Sequence, residues 1–379
     1  MEALIKPKIL MADLQGQYQR IKGDIDEAIQ QVLLSSKYIN GPQVNEFEGH
    51  LGEYLQGTEI VSCANGTDAL QIALMALELS PGEEVIVPSF TYVSCAEVIS
   101  LLNLVPIFVD VDPLSFTIDP GSVEKAISPR TKAIITVHLF GQCAAMEPLL
   151  QIAQKHDLYL IEDSAQALGA DYSFSDGTLR KAGTIGHIGC TSFFPSKILG
   201  CFGDGGALIT RHEDIAEKAR MIANHGQKTK YIHERIGLNS RLDTIQAAVL
   251  NIKLKYIKEY IGSRRSAANW YYSSLDNLGW LALPQQSQHS SHVFNQFTIT
   301  LAETVDRVQF QAYLSSKGIP SMIYYPLALH KQKAFSSLES ANVHLPVTEN
   351  LCKRVLSLPM HTELELDALE YITDAIRAF

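Results

Sequence analysis

Between residues 59 and 163 the chain keeps one rhythm: a short apolar run, a turn, a helical stretch, then another apolar run. EIVSCANG is a strand that ends in a turn, and TDALQIALMALELS supplies the helix behind it. EEVIVPS, VPIFVDV, KAIITVHLFG and LYLIED continue the series. Runs this short and this apolar belong to strands buried on both faces. Their alternation with helices marks a mainly parallel sheet covered on both sides, an α/β fold. Chemistry in such folds gathers beyond the C-terminal ends of the strands, which is where LYLIED places Glu162 and Asp163.

The flanking segments read differently. The first 55 residues give a short extended lead-in followed by helical patterns over GDIDEAIQQVLLSSKYI and QVNEFEGHLGEYLQ. IGHIGCTSFF and GGALITR read as two strands joined by PSKILGCFGD, a turn-rich bridge containing Lys197. From Arg241 a long amphipathic helical region leaves the first domain, with a break near Gly262 as an equal alternative to a continuous helix. VFNQFTITL and SMIYYP are strand candidates, and 305–317 and 364–378 are helical, which predicts a smaller α+β domain. The expected division is an N-terminal arm over 1–25, a large domain over 26–255 and a small domain over 256–379.

Composition narrows the partners. With 31 Lys and Arg against 41 Asp and Glu, the chain carries a formal charge of −10, which disfavours broad affinity for nucleic acid or anionic membrane. An acidic residue at position 2 argues against a signal peptide, and LLNLVPIFV stops far short of the roughly 20 residues a membrane span needs. Six widely spaced cysteines form no CxxC pair, so free thiols in a reducing cytoplasm are expected. No metal-binding signature is present.

Three features carry chemistry. A lysine in a loop is ordinarily only charge, but Lys197 sits in TSFFPSKILGCFGDGG, where aromatic and apolar neighbours should desolvate it. A neutral amine is what a Schiff base with a carbonyl requires. Asp163, followed by Gln166 in EDSAQ, could hold a proton on a heteroaromatic nitrogen and keep the ring electron-poor, the arrangement pyridoxal phosphate needs. CANGTDAL places Gly66 and Thr67 between a strand and a helix, where backbone N–H groups can meet a phosphate. Ser192 offers a further hydroxyl. Taken singly, each could be an ordinary charge, cap or turn.

Together, SCANGTDAL, IEDSAQALGA, TSFFPSKILGCFGDGGA, NHGQ and IGLNSRLDTIQAAVL resemble, in this order, the DegT/DnrJ/EryC1/StrS aminotransferases. The resemblance implies a fold-type-I enzyme dependent on pyridoxal 5'-phosphate. Its large domain would be a three-layer α/β/α sandwich and its C-terminal domain a smaller α+β unit. Lys197 would bind the cofactor covalently, Asp163 would pair with its ring nitrogen, Gln166 would lie near its phenolic oxygen and Tyr92 would stack on the ring. Gly66, Thr67, Asp68 and Ser192 would hold the phosphate, with Asn239 supplied by the partner of a homodimer. Arg241, Tyr324, Tyr325 and His330 would face the substrate, although the family's usual histidine before Tyr-Pro is here Tyr324. The implied reaction moves an amino group from L-glutamate to a nucleotide-linked keto sugar for bacterial surface polysaccharide. Resemblance to enzymes making 3-amino sugars implies the C3 ketone of UDP-2-acetamido-2-deoxy-3-oxo-glucuronate. A 4-keto sugar, a 3-keto-6-deoxy sugar, or a non-catalytic sensory protein on the same fold are the alternatives. Sugar dehydration within the family goes with a histidine at the lysine position, and Lys197 argues against it.

Overall fold

The computed structural model describes residues 8–379, so the first seven residues of the expected arm lie outside it. Three helices lead in: α1 (Leu14–Arg20), α2 (Lys22–Ser35) and α3 (Pro42–Tyr54). Strands and helices then alternate as β1 (Glu59–Cys63), α4 (Gly66–Ala76), β2 (Glu84–Pro88), α5 (Ser94–Leu101), β3 (Val105–Val109), α6 (Pro120–Ala126), β4 (Thr131–Val137), α7 (Met146–His156) and β5 (Tyr159–Asp163). A small hairpin, β6 (Asp171–Ser173) and β7 (Leu179–Lys181), precedes β8 (Ile188–Ser192), β9 (Gly206–Thr210) and α8 (Glu213–Ala223). A second hairpin follows, β10 (Gln227–Thr229) and β11 (Ile232–His233).

The central sheet has the order β1-β9-β8-β5-β4-β2-β3. Every pairing from β8 to β3 is parallel, and β9 alone runs against both its neighbours. Alternate residues serve opposite faces. Val85, Val87, Ile135 and Ile161 join α4, α5 and α8 in one apolar cluster, while Ile86, Ile134 and Leu160 join α3 and α7 in the other. Burial on both sides explains why these strands read as unbroken apolar runs, and the sheet with its two helical layers is the expected three-layer sandwich.

The helical region after Arg241 is two helices, α9 (Thr244–Lys255) and α10 (Ile257–Leu275), separated at Tyr256, whose φ of −98° and ψ of 2° leave the helical region. Gly262, the alternative break point, lies inside α10, because one glycine costs only about 1 kcal/mol and the buried Ile261 and Arg264 hold the helix on either side. The smaller C-terminal α+β domain contains the antiparallel sheet β12 (Leu281–Ala282), β13 (Phe297–Leu301) and β14 (Val355–Leu358). It is packed by α10, α11 (Arg307–Ser316) and α13 (Leu366–Arg377). SMIYYP is not a strand: only Met322 bridges, to Ser357, and the rest of the segment turns toward the large domain.

One carboxylate fastens that domain. Asp110, just past β3, is buried and caps α12 (Pro346–Arg354) from outside its own segment. Its Oδ2 accepts from the Val347 N–H at 3.0 Å, and its Oδ1 accepts from the Thr348 N–H and hydroxyl, both at 2.7 Å. Removing it strands donors that otherwise have water only in the unfolded chain. Asp110→Ala should therefore cost roughly 1–3 kcal/mol in the first transition of a urea titration. A midpoint equal to wild type would remove this carboxylate from the docking of the two domains.

Candidate active site

The C-terminal ends of the sheet strands open onto a cavity of about 820 Å³. Its wall brings together Gly66, Thr67, Asp68, Tyr92, Asp163, Gln166, Ser192, Lys197, Tyr324 and Tyr325, which lie far apart in the sequence. Because the parallel strands all end on this side, their following loops converge there.

Lys197 stands on the bridge between β8 and β9. The bridge is fixed at its base by the Phe193 N–H donating to the Gly205 carbonyl at 2.7 Å, and further along by the Cys201 N–H donating to the Phe193 carbonyl at 2.8 Å. Burial lowers the pKa of Lys197 below its ordinary value, and the carboxylate of Asp163 pulls partly the other way. Its amine is thus shifted toward the neutral form that attacks a carbonyl.

Asp163 ends β5 and is almost fully buried. Its Oδ1 accepts from the Ala165 N–H at 3.0 Å and its Oδ2 from the Cys95 thiol at 3.2 Å. Burial, reinforced by Asp163, pushes the Cys95 thiol well up, so it remains a donor. Gln166 accepts from the Phe140 N–H at 2.6 Å and donates from Nε2 toward the Tyr325 hydroxyl at 3.4 Å. Burial pushes the phenols of Tyr324 and Tyr325 up, so both are neutral hydrogen-bonding groups.

The opposite wall is the start of α4. Asn65 caps it, its side chain accepting from the Asp68 N–H at 2.8 Å, which leaves the Gly66 and Thr67 N–H groups at the open helix end. A Cβ on Gly66 would stand 2.7 Å from the Ser192 Cβ, and one on Gly206 would stand 2.4 Å from the Asn65 carbonyl. Glycine is needed at both positions for helix end and strands to meet. The cradle of N–H groups, the Ser192 hydroxyl, a desolvated lysine and a strand-end carboxylate across one cavity fit a phosphorylated pyridine aldehyde.

Other expected residues lie elsewhere. Asn239 is exposed, Arg241 is half-buried, and neither belongs to the cavity wall of one chain. His330 is buried away from the cavity. Its Nδ1 meets the Ser89 hydroxyl at 2.7 Å, its Nε2 meets Glu349 at 3.2 Å, and the Leu329 N–H donates to the Ser89 carbonyl at 3.0 Å. It is a latch between β2 and the small domain rather than a substrate contact, because packing against Phe108 and Ser89 closes it off. Asn65, Thr91, Ser94, Asp204 and Gln296 also line the cavity without having been singled out from the sequence. The flanking NGT and TYVS letters of the first three pointed there, whereas nothing local marks Gln296.

The chain is similar to known proteins along nearly its whole length. The profile of the DegT/DnrJ/EryC1/StrS aminotransferase family matches residues 19–377. The UDP-2-acetamido-2-deoxy-3-oxo-D-glucuronate aminotransferase of Pseudomonas aeruginosa is 44% identical over 96% of this chain and 98% of its own length. A pleiotropic regulatory protein of Geobacillus stearothermophilus is 42% identical, over 97% and 98%. The solved structure of ntda from Bacillus subtilis with bound cofactor PMP superposes with a TM-score of 0.89 at 30% identity, covering 100% of this chain and 86% of that one. PMP is the aminated form of pyridoxal phosphate.

The latch gives a pH prediction. Burial lowers the pKa of His330, opposed by its hydrogen bond to Glu349. Lys331 also lowers it, and Asp110 opposes. The carboxyl of Glu349, which also faces His344, is held down at about 2. A histidine whose folded pKa lies below the unfolded value of about 6.5 contributes stability above that pH and loses it as pH falls through the folded pKa. Between pH 7 and pH 5, wild type should lose more stability than His330→Gln, whose side chain does not titrate there. Parallel stability–pH curves for the two proteins would refute it.

Proposed function

The chain belongs to the DegT/DnrJ/EryC1/StrS aminotransferase family and is a pyridoxal-phosphate-dependent aminotransferase, and on that footing we propose that it aminates the C3 ketone of a UDP-linked 3-oxo sugar with L-glutamate as donor. UDP-2-acetamido-2-deoxy-3-oxo-glucuronate is the substrate this reading favours. Similarity along nearly the full length to the Pseudomonas enzyme supports the sugar. The observation that carries the chemistry is Lys197 and Asp163 on the walls of one cavity beside the open end of α4.

Pyridoxal phosphate, when bound, supplies an electrophilic carbon and a ring that accepts electrons from the substrate. This chain's residues do the rest. The open end of α4 and Ser192 would hold the phosphate, and Tyr92 would cover the ring. Asp163 would keep a proton on the ring nitrogen. Lys197 Nζ would anchor the cofactor and, as a free amine, would take the proton from the donor's α-carbon and return one to the sugar carbon. Gln166 and Tyr325 offer neutral donors to the polar edge of the ring.

Assembly follows from surface and charge. Among the described residues Lys197 is the only cation on the cavity wall of one chain, against the carboxylates of Asp68, Asp163 and Asp204, yet both substrates are anions. Ser240 faces inward, its hydroxyl donating to Asp68 at 2.6 Å, while its neighbour Asn239 faces out. Leu34 is 73% exposed and Ile236 85%, and Tyr92 and Phe194 are exposed on the cavity wall, apolar surface that calls for a partner. A homodimer in which Asn239 reaches the partner's phosphate site and Arg241 the partner's substrate accounts for both. No helix among the described residues is long and apolar enough to cross a membrane.

Two measurements test the proposal. Incubating the purified protein with L-glutamate and a panel of UDP- and dTDP-linked 3-oxo and 4-oxo sugars should give a product heavier by the amine at C3 of the UDP-3-oxo-glucuronate. Amination confined to C4 would replace the substrate assignment, and no product from any sugar would favour the regulatory reading that the Geobacillus relative's name carries. Borohydride reduction and peptide mapping should place the cofactor on Lys197, with Lys197→Ala inactive. Cofactor found solely on another lysine would overturn the site.

A further inference from the structure

Behind the cavity lies a carboxylate the proposed reaction does not use. Glu162 precedes Asp163 on β5 and has no solvent exposure. Its Oε1 accepts from the Ile185 and Gly186 N–H groups, both at 2.6 Å, and its Oε2 from the Gly183 N–H at 2.9 Å and from His138 Nε2 at 2.7 Å. Among the described residues no lysine or arginine pairs with it. Burying a carboxyl group carries a desolvation cost that its hydrogen bonds must first offset, so a merely packed core would be better served by an apolar residue. Gly183, at φ +84°, and Gly186 bend their loop so that its N–H groups converge on this one side chain; a Cβ on Gly186 would lie 2.5 Å from the Leu160 carbonyl.

His138 carries the effect toward the cavity. Its Nδ1 accepts from the Ala144 N–H at 3.1 Å, so the ring proton sits on Nε2 and is donated to Glu162. The backbone N–H of the same residue donates to the Asp163 carbonyl at 3.0 Å. Two residues later, Phe140 is held at φ +60°, and its N–H is the one that orients Gln166. The ring and backbone of His138 together tie the loop after β4 to the tip of β5, next to Asp163 and two residues before the Phe140 N–H that meets Gln166.

We propose that Glu162 and His138 are a positioning pair, whose hydrogen bond fixes the loop that sets Asp163 and Gln166 against the cofactor ring. This rests on the role given above to Asp163. Misplacing a reacting group by about 1 Å can cost on the order of a hundredfold in rate.

The two bonds of the histidine can be separated. His138→Gln places an amide Nε2 where the ring Nε2 was and keeps the donor to Glu162, whereas His138→Asn places an oxygen near the old Nδ1 and loses that donor. In the cofactor-loaded proteins, the absorption band of the bound cofactor, its pH midpoint and the donor half-reaction are measured beside thermal stability. His138→Asn should shift the midpoint in the same direction as Asp163→Asn and slow the half-reaction roughly 10- to 100-fold, with KM within about threefold of wild type. His138→Gln should keep the wild-type band. A folded Asn variant with the wild-type midpoint overturns the proposal, and so does a shifted Gln variant, which decides the matter if the Asn variant does not fold. Asp163→Asn is the control: if it leaves the band in place, the reading of Asp163 fails rather than the pair.

Discussion

The approach of α4 to the sheet is the contact on which the site depends. Gly66 lies against Ser192 and Gly206 against the Asn65 carbonyl at distances that exclude a side chain. That contact brings an open helix end next to the strand that leads to Lys197, so a phosphate held by the first and an aldehyde held by the second can belong to one small molecule. Were the helix a methyl group further out, the same residues would exist but would not converge.

A second constraint operates at the other side of the cavity. The small domain contributes Tyr324 and Tyr325 to the wall, and it is seated through groups at the ends of β2 and β3: the hydroxyl of Ser89 with His330, and the carboxylate of Asp110 with the start of α12. Tyr325 also packs edge-on against Phe90, next in sequence to Ser89. The strand ends thus do two jobs, presenting reactive groups from some loops and fastening the second domain with others.

What was legible from the chain follows the range of the forces involved. The strands of the large sheet are visible because burial on both faces writes a local, uninterrupted apolar run, and Lys197, Asp163 and Gly66 because each lies in a motif with its own local chemistry. The break at Tyr256 was not visible, since backbone geometry set by packing decided it against the weaker preference of Gly262. SMIYYP has the letters of a strand but finds a partner for Met322 only. His330 has the chemistry of a substrate contact, and only the fold reveals that Ser89, 241 positions earlier, occupies its ring nitrogen. Gln296 reaches the cavity from the small domain with no motif around it. Residues gathered by tertiary distance alone leave no periodic or local trace.

The reversal of β9 has one more effect. A parallel successor to β8 would require a crossover helix, and the lysine would then ride on a rigid rod. Because β9 returns antiparallel beside β8, the segment carrying Lys197 is a loop with both feet in adjacent strands, pinned at Phe193 and Gly205. Its closure entropy is already spent by the sheet. The Lys197 amine is thus carried on a loop whose two ends the sheet holds in place, rather than on an element that would have to be packed separately against it.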